Sequence, residues 1–186
     1  MKKKPIFWID LEMTGLDEKT DSILEVAVVI TDMDFKPLEE YHRIVFQPET
    51  VLADMNDWCK KTHGESGLTA AVPQGTPLNV VEDELLALIG RHYGPKDRVV
   101  LAGNSVGNDR RFIDQYLPKV AAHLHYRLVD VSSFKEIFRE KYGLEFRKSD
   151  KHRALGDIYE SINELVFFLS HVVIPPKPDA GPGAKK

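Results

Sequence analysis

Cysteine is nearly missing from this chain of 186 residues: Cys59 stands alone. A single thiol makes no internal disulfide, so the fold must rest on its core, and the expected compartment is the reducing cytoplasm. A surplus of positive charge is missing too. Lys and Arg number 25 against 29 Asp and Glu, for a net charge of −4, and the pI is about 6.0. That balance argues against a broad basic groove for long duplex nucleic acid, but not against a small anion held by a few cations. No apolar run approaches the roughly 20 residues that a membrane helix needs, so no membrane partner is expected. The start is basic at Lys2, Lys3 and Lys4, yet Asp10 falls where a signal peptide would carry its apolar region. There is no internal repeat, Walker loop, cysteine pair or serine-nucleophile motif.

What is present is an ordinary globular balance, 42% hydrophobic and 29% charged, enough for one domain with a real core. That domain is expected over 1–174. From Pro175 the composition turns to Pro, Gly and Lys, which cannot bury a core, so 175–186 is expected to be a disordered tail.

The chain is organised around Phe7-Trp8-Ile9-Asp10-Leu11-Glu12-Met13-Thr14-Gly15. It opens as a buried strand and then carries two carboxylates. Residues two apart on a strand share a face, about 6.6–6.8 Å from one another. Asp10 and Glu12 therefore point the same way, where they repel and are costly to desolvate. A cation between them resolves the conflict. An edge strand with both carboxylates in water is the alternative, and Leu11 and Met13 speak against it by leaving neither face cleanly polar.

Ile23 to Thr31 reads as a second buried strand and Pro37 to Gln47 as a third, with short links that predict an antiparallel meander. Glu25, inside the second strand, is expected on an exposed face. A helix is predicted over 53–63 with Asp54 as its cap and Met55, Trp58, Cys59 and Thr62 as its apolar stripe. Thr76-Pro77 opens another helix, which Gly94-Pro95 stops. Val99 to Ala102 is a fourth strand. A helix capped by Ser105 or Asn108 follows, with Phe112, Ile113 and Tyr116 inward. Asp109 belongs to that same face, where a carboxylate is unusual. It is either a buried partner for an arginine or part of a metal site. Arg127 to Val131 is a fifth strand, and Ser133 and Glu136 form a capping box for the next helix. The last helix presents Leu155, Ile158, Ile162, Leu165, Leu169 and Val172. The fold class is α/β: a mixed five-stranded sheet, three antiparallel strands first, flanked by helices.

His152 and Asp157 stand five apart, about 140° around a helix and roughly 7.5 Å along it, so they cannot share one helical face. His152 is expected on the loop or first turn as a mobile acid/base, and Asp157 on the helix as a fixed ligand. Asp10, Glu12, Asp109 and Asp157 then form an all-carboxylate set, which selects Mg²⁺ or Mn²⁺ over zinc. Two such ions about 3.5–4 Å apart clamp the attacking and leaving oxygens of a phosphodiester and activate water, whose proton His152 takes.

Trp8 to Leu16, Gly103 to Phe112 and His152 to Ser161 resemble the oligoribonuclease family of DEDDh exonucleases, as do Asp57 to His63 and His125 to Arg127. The resemblance covers nearly all of 5–173. It implies a ribonuclease H-like fold and a homodimer with two Mg²⁺ or Mn²⁺ ions. The implied activity is 3′→5′ hydrolysis of very short RNA, dinucleotides above all, to 5′-mononucleotides. It further implies that Leu16 wedges between the bases and that Trp58 and His63 line the 3′ nucleotide. Ser105, Arg127 and Ser132 would cap the 5′ phosphate, with Tyr126 reaching in from the other subunit. Without the resemblance, Trp58 reads as core, and Arg110 and Arg111 as phosphate ligands or surface ion pairs. The Asp-x-Glu pair and the spacing of His152 and Asp157 mark only the wider superfamily, so a DEDDh exonuclease on single-stranded DNA, of proofreading type, is the alternative.

Overall fold

In the computed structural model, which describes residues 4–147 and 153–175, strand β1 (Ile6–Met13) is the middle of a five-stranded sheet. It pairs antiparallel with β2 (Ile23–Thr31), which pairs antiparallel with the edge strand β3 (Pro37–Ile44). On its other side β1 runs parallel to β4 (Val99–Gly103), and β4 parallel to β5 (Leu124–Asp130). The order is β3-β2-β1-β4-β5, the mixed sheet with its antiparallel meander first that the sequence predicts. The central position of β1 excludes the edge-strand reading of its carboxylates.

The helices in chain order are α1 (Glu49–Ala53), α2 (Asp57–Glu65), α3 (Leu68–Ala71), α4 (Leu78–His92), α5 (Gly107–Tyr116), α6 (Pro118–Ala121), α7 (Val131–Tyr142) and α8 (Ala154–Ser170). Side chains alternate across a strand, and β1 uses both faces. Phe7, Ile9, Leu11 and Met13 join Val81, Leu85 and Leu88 of α4 and Phe112 and Ile113 of α5. Trp8 turns the other way, into a layer with Ala27, Val29, Ala102, Val131 and the α8 residues Ala154, Ile158, Ile162 and Leu165. Its indole N–H donates to Thr31 Oγ1 at 3.0 Å, so the fully buried ring carries no unpaired donor. Sandwiched this way, β2 is buried along its whole length, which is why it reads as a near-continuous apolar run around Glu25. Among the described residues no helix is long and apolar enough to cross a membrane.

Several local expectations shift. Helix is interrupted near Asp54, and the cap of α2 is Asn56, whose side chain accepts the Cys59 N–H. Trp58 does not join the apolar stripe of α2: it is 64% exposed. Neither Ser105 nor Asn108 caps α5 by its side chain; Val106 stands at that position. β5 starts at Leu124, earlier than the 127 expected, and α7 is capped by Asp130, which accepts the Ser132 N–H, in place of the Ser133 box. Asp130 is nearer the strand end and reaches the first free N–H groups before Ser133 can. Gly143 closes α7 in the left-handed region. Leu169 and Val172 are exposed rather than core.

Candidate active site

β1 outruns its parallel neighbour. The β1–β4 pairing covers Phe7 with Leu101 and Trp8 with Ala102, and β4 ends at Gly103. Asp10 and Glu12 therefore lie past the end of β4, where the carboxyl ends of parallel strands gather their loops. Glycine is required at 103: a Cβ there would sit 2.8 Å from the Ile9 carbonyl oxygen. With no strand on its β4 side, the Leu11 N–H is taken by Asp109, at 2.9 Å to Oδ1. Asp109 is thus buried on the inward face of α5, and its partner is a backbone donor and not an arginine.

Above Asp10 and Glu12 lies the first turn of α8. The alanines at 27, 102 and 154 are small and fully buried, which lets the helix approach the sheet. Asp10, Glu12 and Asp157 each present a carboxylate oxygen, and the three lie within 4.8 Å of one another. Burial, then the charges of Asp109, Glu12, Asp157 and Glu25, hold the Asp10 carboxyl well above the usual range. Burial first, then Asp157, Glu25 and Asp109, push Glu12 up to about 7, against a pull from Arg153. Burial raises Asp109 to about 7 despite its bond from Leu11. Converging, half-desolvated oxygens on strand and helix are a donor set for a hard divalent cation. His152, the expected acid/base, lies outside the described residues, as does 176–186 of the expected tail.

These raised values fix a pH dependence for the cation-free protein. The folded state keeps protons that the unfolded chain has shed above about pH 4.5. Stability from these groups is therefore present at low pH and is lost as pH rises through about 7. In EDTA the melting temperature is expected to fall between pH 5.5 and 8, and Mn²⁺ at pH 8 to restore it. A flat or rising profile in EDTA would contradict the crowding of these carboxyls.

Beside Glu12 opens a cavity of about 370 Å³ lined by Leu11, Met13, Leu16, Trp58, Cys59 and His63, among others. Leu16 and Trp58 stand at it 66% and 64% exposed, an apolar pair that burial has not claimed and that suits a flat base. Buried His63 has its Nε2 2.9 Å from the Met13 carbonyl, so that nitrogen carries the proton. Its Nδ1 is 4.0 Å from Glu12. The Leu16 loop is built by Asp21, which accepts from the Thr14 hydroxyl and the Asp17 N–H. A side chain at 15 would collide with that carboxylate, at 2.4 Å. Arg111 braces the same loop through Glu18 and the Leu16 carbonyl, and Arg110 pairs with Asp114, so both make the ion-pair role real.

Ser105 and Ser132 come together across the ends of β4 and β5. Their hydroxyl oxygens are 3.0 Å apart, and the Ser105 N–H donates to Ser132 Oγ and to Asp130. Ser105 holds a φ of +50°, a left-handed bend stabilised by those two acceptors. Ser132 in turn donates to Asn104, whose amide donates to Ser161 and Glu164 of α8. Arg127 and Tyr126 are exposed on β5. Arg127 Nε donates to the Tyr126 hydroxyl at 3.1 Å, and the guanidinium lies over that ring.

Glu25 departs most from expectation. It is fully buried, opposite Glu12 in the β1–β2 register, and bonded to His42, Arg153 and the Ala154 N–H. Burial alone would raise its carboxyl; the bonds from His42 and Arg153, with Arg153's charge, hold it below the usual range. The signal was available: a carboxylate inside an apolar strand, the same signal that singles out Asp10. Asp21 and Asn104 gave no such signal, since they sit in loops rich in polar residues; Asp130 is the last residue of β5.

A family model described as an exonuclease, RNase_T, matches residues 7–165. The mitochondrial oligoribonuclease of Homo sapiens is 46% identical over 171 residues, covering 89% of this chain and 72% of that protein. The chain belongs to the oligoribonuclease family. A second oligoribonuclease, from Francisella tularensis subsp. holarctica, is 43% identical over 173 residues, covering 90% of this chain and 96% of its own. Exonuclease I from Methylocaldum szegediense superposes with a TM-score of 0.68 at 15% identity over 88% of this chain, which spans 40% of that longer one. At that identity the likeness carries the fold alone, a ribonuclease H-like exonuclease sheet. As a member of the oligoribonuclease family the chain is a nuclease, and its acidic cluster fits the divalent metal that the exonuclease family implies.

Proposed function

We propose that the chain is a 3′→5′ exoribonuclease that hydrolyses very short RNA, dinucleotides above all, to 5′-mononucleotides. The observation that carries the reading is the acidic cluster beside a small cavity flanked by Leu16 and Trp58. Asp10, Glu12, Asp109 and Asp157 hold two Mg²⁺ or Mn²⁺ ions. Bound there, the ions supply charge for the phosphodiester oxygens and make water more acidic. His152 accepts the proton of the attacking water. Leu16 separates the two bases, and Trp58 and His63 line the 3′ nucleotide. Ser105, Arg127 and Ser132 receive the 5′ phosphate. The active form is a homodimer in which Tyr126 faces the partner's site, and its compartment is the cytoplasm. The domain spans 1–174. Hydrolysis of end-labelled RNAs from two nucleotides upward, with Mn²⁺ and with EDTA, tests the reading. A preference for long single-stranded DNA would favour the proofreading alternative.

Length selection follows from the 5′ end. With a net charge of −4, a long strand gains little from its extra phosphates. Arg127 offers a bidentate fork for a terminal phosphate, and a charged hydrogen bond is worth about 1.5–3 kcal/mol. Arg127→Ala is therefore expected to lower kcat/KM on a 5′-phosphorylated dinucleotide roughly 10- to 100-fold. A five-nucleotide RNA should lose less. Equal loss on both would end the role of Arg127 as a length gauge.

A further inference from the structure

Glu25 has no part in the chemistry above, yet it is a buried carboxylate next to the acidic cluster. We infer that Glu25 is a positioning residue: acting through Arg153 and Ala154, it fixes the start of α8 and so holds Asp157 against Asp10 and Glu12. The inference rests on the proposed role of Asp157 as a metal ligand.

Both oxygens of Glu25 are engaged. Oε1 lies 2.6 Å from His42 Nε2 and accepts from Arg153 Nε and Nη2, at 3.1 and 2.8 Å. Oε2 accepts the Ala154 N–H at 3.3 Å. The helix needs that last bond. Its cap residue, Arg153, provides no side-chain acceptor, and the first N–H groups of a helix have no partner within it. The cap therefore comes from the sheet, from a residue 129 positions away in sequence. A cap on the helix itself would move with the helix; one on β2 ties the helix to the strand that pairs with β1. Ala154 and Ile158 pack on the sheet and set the rotation of α8, while Glu25 sets its position along the axis. Asp157 stands one turn on, about 4.5 Å along the axis, so a slip at Ala154 is passed to Asp157 undiminished.

Glu25→Gln keeps the shape and breaks the pattern. In either amide orientation the NH₂ faces a donor, Arg153 or the Ala154 N–H. The variant is expected to bind Mn²⁺ roughly 10- to 100-fold more weakly by calorimetry, the usual effect of removing a group that orients metal ligands. kcat on a dinucleotide should drop with it, and KM should stay within about twofold, because the base-binding cavity is untouched. His42→Ala separates positioning from stability. It removes another partner of Glu25 but leaves the Arg153 and Ala154 bonds to that carboxylate in place, so it should lower the melting temperature and leave kcat and Mn²⁺ affinity near wild type. If Glu25→Gln does not fold, Arg153→Gln, which leaves the Ala154 bond in place, reads the same loss on a smaller scale. A folded Glu25→Gln protein that loses only thermal stability, with normal Mn²⁺ binding and kcat, overturns the inference alone. Normal Mn²⁺ binding by Asp157→Asn would overturn the ligand assignment beneath it.

Discussion

Asp10→Asn is expected to reduce hydrolysis to background while making the cation-free protein more stable at pH 8. The two effects have one cause. Asp10 sits on the central strand, crowded by the charges of Asp109, Glu12 and Asp157, and burial holds its carboxyl well above the usual range. Without a cation that charge is a cost of folding, and the amide removes it with almost no change of shape. With a cation the same charge is the attraction, and an amide oxygen attracts a hard ion far less than a carboxylate does. The variant should melt higher than wild type in EDTA at pH 8 and gain less from added Mn²⁺. Calorimetric titration decides the matter: two Mn²⁺ ions bound with wild-type affinity would sink the assignment of Asp10.

His152→Ala is expected to lower kcat by about 10²- to 10⁴-fold, the usual worth of a general base, with Mn²⁺ binding kept. The argument is one of division. The acidic groups are built into strand and helix and are suited to hold charge in place. None of them suits proton removal near neutrality once a divalent cation draws their values down. A histidine titrates in the needed range. The pH–rate profile should lose its acidic limb in the variant. A matching loss of Mn²⁺ affinity would make His152 a ligand instead.

The legible parts of this chain were those where one residue type contradicts its surroundings. Asp10 and Glu12 stand in an apolar strand and Asp109 on an apolar helix face, and burial exposes such contradictions to reading. The sheet was legible for a related reason: apart from Glu25 and Thr31, β2 is apolar because both its faces are covered. Element ends were harder. Asp54 and Ser133 are good caps in isolation, but Asn56 and Asp130 stand where the helices begin. Local propensity does not say which of two polar residues the tertiary fold will use. Trp58 shows the converse: helical spacing puts it on a stripe, and only the neighbouring cavity explains its exposure. Strand periodicity alone does not reveal that His42 and Arg153 converge on Glu25 from distant parts of the sequence.

The bond from the Leu11 N–H to Asp109 has a consequence in time. A strand amide held by a neighbouring strand trades its hydrogen for deuterium only when the sheet opens. The Leu11 amide is held by a helix, so its exchange is gated by α5 lifting from β1. The rate at that one amide clocks the breathing of the cluster, without substrate or turnover.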